Sequence, residues 1–174
     1  MGLFDFMKGK GNTETPEPVT YPVILGAAAK GKFVPMAEIP DEVFSAGILG
    51  ACCGIDPDEG KIYAPVSGKI CQLADTLHAI GIEAADMELL IHVGVDTVEM
   101  KGDGFQAMVK EGQTVKKGDL LLTIDLDKIY KAGHPATVIL AVTNTDHFSA
   151  IESIGVDQVN VGDGVLRITG IKMP

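Results

Sequence analysis

Residues 78–98, "HAIGIEAADMELLIHVGVDTV", read as two strands joined by a turn, and they set the character of the whole chain. Side chains alternate between faces along a strand. In the second arm one face carries Leu89, Ile91, Val93 and Val95, all apolar; the other carries Leu90, His92, Gly94 and Asp96. The first set is core. The second presents an imidazole away from the core, beside a glycine with no side chain to block an approaching group. His78, in the first arm, stands fourteen positions earlier. That even separation puts both histidines on one face if the loop holds an odd number of residues and the ladder has no bulge. With the turn near Ala84 to Met87 and a loop over residues 84–86, the two would stand directly opposite, Cβ atoms roughly 5 Å apart. Thr76 could reach the same face and supply a hydroxyl.

The pattern repeats on both sides of this hairpin. "YPVILGAAAKGKFVPM" (21–36), "GKIYAPVSGKICQL" (60–73) and "VKEGQTVKKGDLLLTID" (109–125) each hold a strand, a break marked by glycine or proline, and a second strand. "ATVILAVTNTDHF" (136–148) and "VNVGDGVLRIT" (159–169) close the chain in the same manner. Helical pattern is confined to short pieces near 104–111, 125–132 and 145–153. Many short strands between glycine turns predict an all-β chain, an antiparallel sandwich or barrel-like body with small peripheral helices.

Composition agrees. The 174 residues suffice for one domain, with 46% hydrophobic residues, 21 glycines and no tryptophan. A formal net charge of −10 lacks the basic stripe that nucleic acid requires, and it steers a basic protein partner instead. The three cysteines, Cys52, Cys53 and Cys71, read as reduced cytosolic thiols, with no spaced CxxC pair. No run of about eighteen apolar residues is present, and the opening "MGLFDFMKGKG" is too short for a secretory signal and carries Asp5 too early. These features point to the cytoplasm. Leu3, Phe4, Phe6 and Met7 would share one side if this stretch formed a short helix, with Lys8 and Lys10 following, and "GNTETPEPV" (11–19) reads as a tether. Residues 1–19 are therefore expected to be a flexible tail, with an amphipathic patch able to touch a membrane surface as the alternative; residues 20–174 form the domain.

Two imidazoles, a hydroxyl and a nearby carboxylate admit several readings. They suit structural strand histidines, or a zinc site, although two ligands fall short of the three or four that zinc sites use. They also suit phosphohistidine chemistry, in which one neutral ring attacks a phosphoryl group while the second ring and a hydroxyl hold its oxygens. His134 and His147 look like surface loop residues. "VEMKGDG" (98–104) faintly resembles the tip of a biotin-carrying domain at Lys101, but glycine follows the lysine where methionine is usual. No GxSxG is present, and the "GDG" triplets at 102–104 and 162–164 read as turns.

Longer blocks carry a family resemblance. "IPDEVFSAGILG" (39–50), "GKIYAPVSGKI" (60–70), "DTLHAIGIE" (75–83), "ELLIHVGVDTVEMKGDGF" (88–105) and "VKKGDLLLTIDLDKI" (115–129) resemble glucose-family enzyme IIA of the bacterial phosphoenolpyruvate-dependent sugar phosphotransferase system. The likeness runs from about Pro22 to Ile171. It implies a sandwich or barrel-like body of the duplicated-hybrid-motif kind, acting as a monomer without a required cofactor. It implies that His92 accepts a phosphoryl group on Nε2 from the phosphohistidine of the carrier HPr and passes it to a cysteine on the IIB domain of a sugar permease. His78 would then orient and stabilise the phosphate, assisted by Thr76. Asp41 and Asp96 match acidic positions that meet the basic surface of HPr. Val43, Phe44, Ile48, Leu49, Leu90 and Val98 match an apolar collar that meets partners. The resemblance further implies regulated enzymes or transporters as partners of some members, and in one such complex a zinc shared between His78, His92 and a partner carboxylate. A purely regulatory binding module without transfer is the alternative function. The chain departs from the family pattern at "GACCGI" (50–55), where Ala51 and Cys52 replace aspartate and glycine, at the shortened hairpin "EAADMELL" (83–90), which lacks the usual glycine and one more residue, and at Ala74, where an aromatic is common.

Overall fold

The computed structural model describes residues 19–173. The amphipathic patch and all but the last residue of the expected tail lie outside these; Val19 packs against the main core. Fourteen strands run through the described residues: β1 (Val23–Gly26), β2 (Gly31–Val34), β3 (Ala51–Pro57), β4 (Lys61–Tyr63), β5 (Gly68–Leu73), β6 (Ala79–Ala84), β7 (Met87–Val93), β8 (Phe105–Ala107), β9 (Thr114–Val115), β10 (Leu120–Ile124), β11 (Val138–Val142), β12 (Ile151–Ser153), β13 (Gln158–Val159) and β14 (Gly164–Ile168). Eight of them form one antiparallel sheet in the order β13-β2-β3-β11-β7-β6-β5-β9. Two three-stranded sheets, β1-β14-β12 and β4-β10-β8, complete the all-β body.

The centre of the large sheet explains where function can sit. All five residues of β11, "VILAV", are buried. Because successive side chains point to opposite faces, Val138, Leu140 and Val142 enter the main core while Ile139 and Ala141 point the other way. On that second face they join Val34, Ile39, Phe44 and Cys52 in a small separate cluster, with Leu90 and Met36 packed against it. The segment between β2 and β3 folds over part of this cluster. It contains a 3-10 turn, Met36–Glu38, and a single-turn helix α1, Glu42–Ser45, whose Phe44 is the buried residue. Asp41 starts α1 by accepting hydrogen bonds from the backbone N–H groups of Val43 and Phe44, at 2.9 and 3.1 Å, the standard way to satisfy the orphan donors of a first turn.

Neither α1 nor β3 was expected from the residue pattern. β3 is buried on both faces over Cys52–Ile55 and shows no alternation, and a four-residue helix is too short for a periodic signal. The expected helix at 125–132 is present as α2, Leu126–Lys131, with Asp125 capping it. The other two expectations are corrected. Residues 105–107 are strand β8, held by pairing with β10. In 145–153 a 3-10 turn, Thr145–His147, is followed by strand β12. In both places ladder hydrogen bonds to a neighbouring strand outweigh weak local helix preference.

Candidate active site

β6 and β7 form the expected hairpin, but its turn is shorter. Ala84 pairs with Met87, leaving a two-residue turn, Ala85–Asp86, and the register runs regularly to Ala79 opposite His92. Ala85 takes a left-handed backbone, φ 52°. The turn manages without glycine because Asn144 clamps it: its side-chain amide donates to the Asp86 carbonyl at 2.7 Å and accepts from the Glu88 N–H at 3.0 Å.

This register corrects the expectation that the histidines stand directly opposite. His92 faces Ala79, so a regular strand would turn His78 to the opposite face. His78 escapes that fate by preceding β6. Leu77 adopts φ 60°, its N–H donates to the Ala74 carbonyl at 2.8 Å, and the bend swings the next ring back. The two imidazoles meet with centroids 5.2 Å apart and planes at 79°. Thr76 lies in the same bend, its hydroxyl hydrogen-bonded to Nδ1 of His78.

His92 is locked on its other side. Its Nδ1 lies 2.8 Å from the Gly94 carbonyl oxygen. A carbonyl only accepts, so Nδ1 carries the proton and Nε2 keeps its lone pair. The buried Phe44 ring packs on the same imidazole, centroids 5.1 Å apart. Gly94 does not clear a path for an approaching group, as the sequence suggested. Its φ is +82°, and a Cβ there would lie 2.4 Å from Cγ2 of Thr97. The space is already filled; what Gly94 contributes is a carbonyl aimed at His92.

Both rings are held neutral. Burial pushes the pKa of His92 below the ordinary imidazole value, while the Gly94 hydrogen bond and the charges of Asp41 and Asp96 pull the other way. His78 is lowered by burial, and next by repulsion from His92. A neutral ring with one committed and one free nitrogen is a nucleophile at neutral pH.

Around the rings the apolar positions divide. Val43, Ile48, Leu49 and Val98 are between 40% and 70% exposed, large aliphatic side chains left in solvent. Leu90 is half-buried. Phe44, only 3% exposed, supports His92 from beneath instead of standing in the open rim. Asp96 is exposed with a left-handed backbone, φ 60°; Asp41 is half-buried and engaged as the α1 cap. Two sizeable surface clefts lie elsewhere, and neither is lined by His78 or His92.

No cluster of three metal-binding side chains occurs among the described residues. The histidines are two donors, and a zinc ion here needs the rest from a partner. Cys52 and Cys53 are buried, with burial raising the Cys52 thiol to about 11 and Cys53 further, so neither is an activated nucleophile. His147 is exposed and His134 half-buried, both outside the site. Lys101 closes the 3-10 turn Thr97–Met100 with a left-handed backbone. The Gly94 carbonyl and Thr97 belong to the site without having been anticipated; nothing in residue type alone marks a backbone oxygen as a partner for an imidazole.

Comparison with known proteins identifies the family of the chain. Residues 23–148 match the family described as phosphoenolpyruvate-dependent sugar phosphotransferase system, EIIA 1. The "PTS system glucose-specific EIIA component" of Bacillus anthracis is 39% identical over 169 residues, covering 96% of this chain and 99% of that protein. The "PTS system glucosamine-specific EIICBA component" of Bacillus subtilis is 43% identical over 133 residues, covering 76% of this chain and 20% of the longer protein. Among solved structures, glucose permease IIA from Mycoplasma capricolum superposes with a TM-score of 0.78 at 33% identity, covering 85% of this chain and 96% of that one. With most of its length matched at that level, this chain belongs to the glucose-type EIIA family of the sugar phosphotransferase system and is a phosphocarrier component of that system.

Proposed function

We propose that His92 is the residue that carries the phosphoryl group, accepting it from the phosphohistidine of HPr and passing it to the IIB domain of a sugar permease. One observation supports this above the others: Nδ1 of His92 is tied to the Gly94 carbonyl, which leaves the Nε2 lone pair as the attacking atom beside a second neutral ring.

The transfer balances without a proton. The P–N bond to the donor histidine breaks as a P–Nε2 bond forms on His92, in line, and the donor ring leaves neutral. The product ring keeps its Nδ1 proton and so gains positive charge, which the Gly94 carbonyl and the carboxylates of Asp41 and Asp96 stabilise. His78 donates from Nε2 to a phosphoryl oxygen. For that, its Nδ1 must accept from the Thr76 hydroxyl, which fixes the direction of the hydrogen bond between them. Val43, Ile48, Leu49, Leu90 and Val98 seal the docked interface against water, so transfer outruns hydrolysis. The net charge of −10, with Asp96 exposed beside the site, speeds encounter with a basic donor.

The step needs no bound cofactor; zinc at His78 and His92 would form only where a partner adds donors. Relatives named EIIBCA and EIICBA components, of which this chain spans about a fifth, support IIB as the acceptor. Relatives at 39–43% identity carry glucose, β-glucoside and glucosamine names, which supports a division of labour in which the permease selects the sugar. This role places the chain in the cytoplasm. The test is incubation with phosphoenolpyruvate, enzyme I and HPr. Acid-labile phosphate on the wild type and none on His92→Gln is the expected result. No label on the wild type would leave a regulatory binding module and overturn the proposal.

A further inference from the structure

We infer that Thr97 is a positioning residue that selects which nitrogen of His92 attacks, an inference that rests on His92 being the phosphoryl acceptor. The backbone through Val93 and Gly94 joins the two halves of the site. The Val93 N–H donates to the His78 carbonyl at 2.7 Å, and the Gly94 carbonyl accepts from Nδ1 of His92 at 2.8 Å. These two groups lie in the peptides immediately before and after Val93–Gly94, so the position of each histidine depends on how the Val93–Gly94 peptide between them is turned. Three further contacts hold this stretch of backbone. The Gly94 N–H donates to the Thr137 carbonyl at 2.9 Å, and the Val95 N–H donates to the Pro135 carbonyl at 3.0 Å. The third comes from Thr97, whose hydroxyl donates to the Val93 carbonyl.

Among these contacts Thr97 alone acts through a side chain. It is 0% exposed, one of two buried polar residues among those described, and its methyl occupies the place a Gly94 side chain would need. A buried carbonyl left without a donor rotates or recruits water to regain one. Without the Thr97 hydroxyl, the Val93–Gly94 unit loses its only bond on that oxygen in this set, and the neighbouring Gly94 carbonyl loses its aim. His92 then has no fixed partner for Nδ1, and the proton distributes between the two ring nitrogens. The fraction of rings with a free Nε2 falls, and with it the rate of attack.

Two substitutions separate this role from packing. Thr97→Val keeps shape and methyl but removes the hydroxyl; Thr97→Ser keeps the hydroxyl. The readouts are the 15N spectrum of the His92 imidazole in the folded protein and the phosphorylation kinetics with enzyme I and HPr. Thr97→Val should show mixed tautomers and a turnover reduced about tenfold or more, since misplacement of about 1 Å costs up to a hundredfold, with the KM for HPr unchanged. Thr97→Ser should retain the Nδ1–H tautomer and most of the rate. Unfolded chains give separate imidazole signals at random-coil shifts, so partial unfolding is recognised and does not imitate the effect. A Thr97→Val protein with the wild-type tautomer and a rate within about twofold of wild type would overturn the inference. If the wild type takes no label at His92, the acceptor reading fails by itself, and the tautomer comparison still decides the part played by Thr97.

Discussion

Replacing Gly94 by alanine tests whether this glycine is required by backbone and packing together. The residue has φ +82°, a left-handed value that costs a residue with a Cβ about 1–2 kcal/mol. Its methyl would stand 2.4 Å from Cγ2 of Thr97 and 3.1 Å from the Pro135 carbonyl oxygen. Thr97 is fully buried and bonded to Val93, so it has little room to retreat. Forcing a methyl into such a filled place adds about 1–3 kcal/mol. The sum, about 2–5 kcal/mol, is a large share of the roughly 5–15 kcal/mol that holds a domain folded. Gly112 supplies the control: its φ is +91° and nothing lies within 4 Å of a Cβ there. Gly112→Ala should therefore lose only the backbone part, about 1–2 kcal/mol. Urea unfolding of the two variants, with unchanged m-values, reads the difference directly. Gly94→Ala should be the less stable by about 1–3 kcal/mol, and its phosphorylation should slow because the carbonyl that holds Nδ1 moves with the backbone. Equal loss in the two variants, within about 0.5 kcal/mol, would refute the steric reasoning and leave only left-handed strain.

Stability should depend on pH through the two site histidines. Both pKa values lie below the ordinary imidazole value when folded, chiefly through burial, while the unfolded chain takes up these protons near about pH 6.5. As pH falls through that point the unfolded state binds more protons, so stability is full above it and declines below it until the folded rings also protonate. Urea midpoints between about pH 5 and 8 should show this slope, and a His78→Gln/His92→Gln double variant should lose it. Asp41→Ala should cost about 1 kcal/mol by removing the α1 cap, whereas Asp41→Asn still caps and should cost a few tenths. Both changes remove a charge that supports protonation of His92, so NMR titration should place its pKa lower still. Asn144→Ala removes two hydrogen bonds from the hairpin turn. The expected loss is about 1–3 kcal/mol, seen in unfolding midpoints and as faster hydrogen exchange at the Glu88 amide.

Much was legible in the chain as written. The alternation through residues 89–96 placed His92 on the face away from the core because strand periodicity is a property of the backbone, independent of what packs around it. Leu89, Ile91, Val93 and Val95 are all buried, as that alternation requires. Strands punctuated by glycine and proline gave away an all-β body, and the histidine blocks gave away the family. Pairing was another matter. The register depends on turn length, and the turn without glycine is stabilised by Asn144, 58 residues from Asp86 along the chain. Nothing local could announce it. The same holds for the meeting of the imidazoles: on the observed ladder a regular strand would part them, and the bend at Leu77 restores them to one place. The tautomer of His92, the seat of Phe44 under its ring and the filling of the space at Gly94 likewise arise only where β7, α1 and the 94–97 loop converge. Sequence determined which side chains alternate outward and which chemistry they carry. Tertiary structure alone decided which atoms face each other, because hydrogen-bond partners and excluded volume are set by segments distant in the chain.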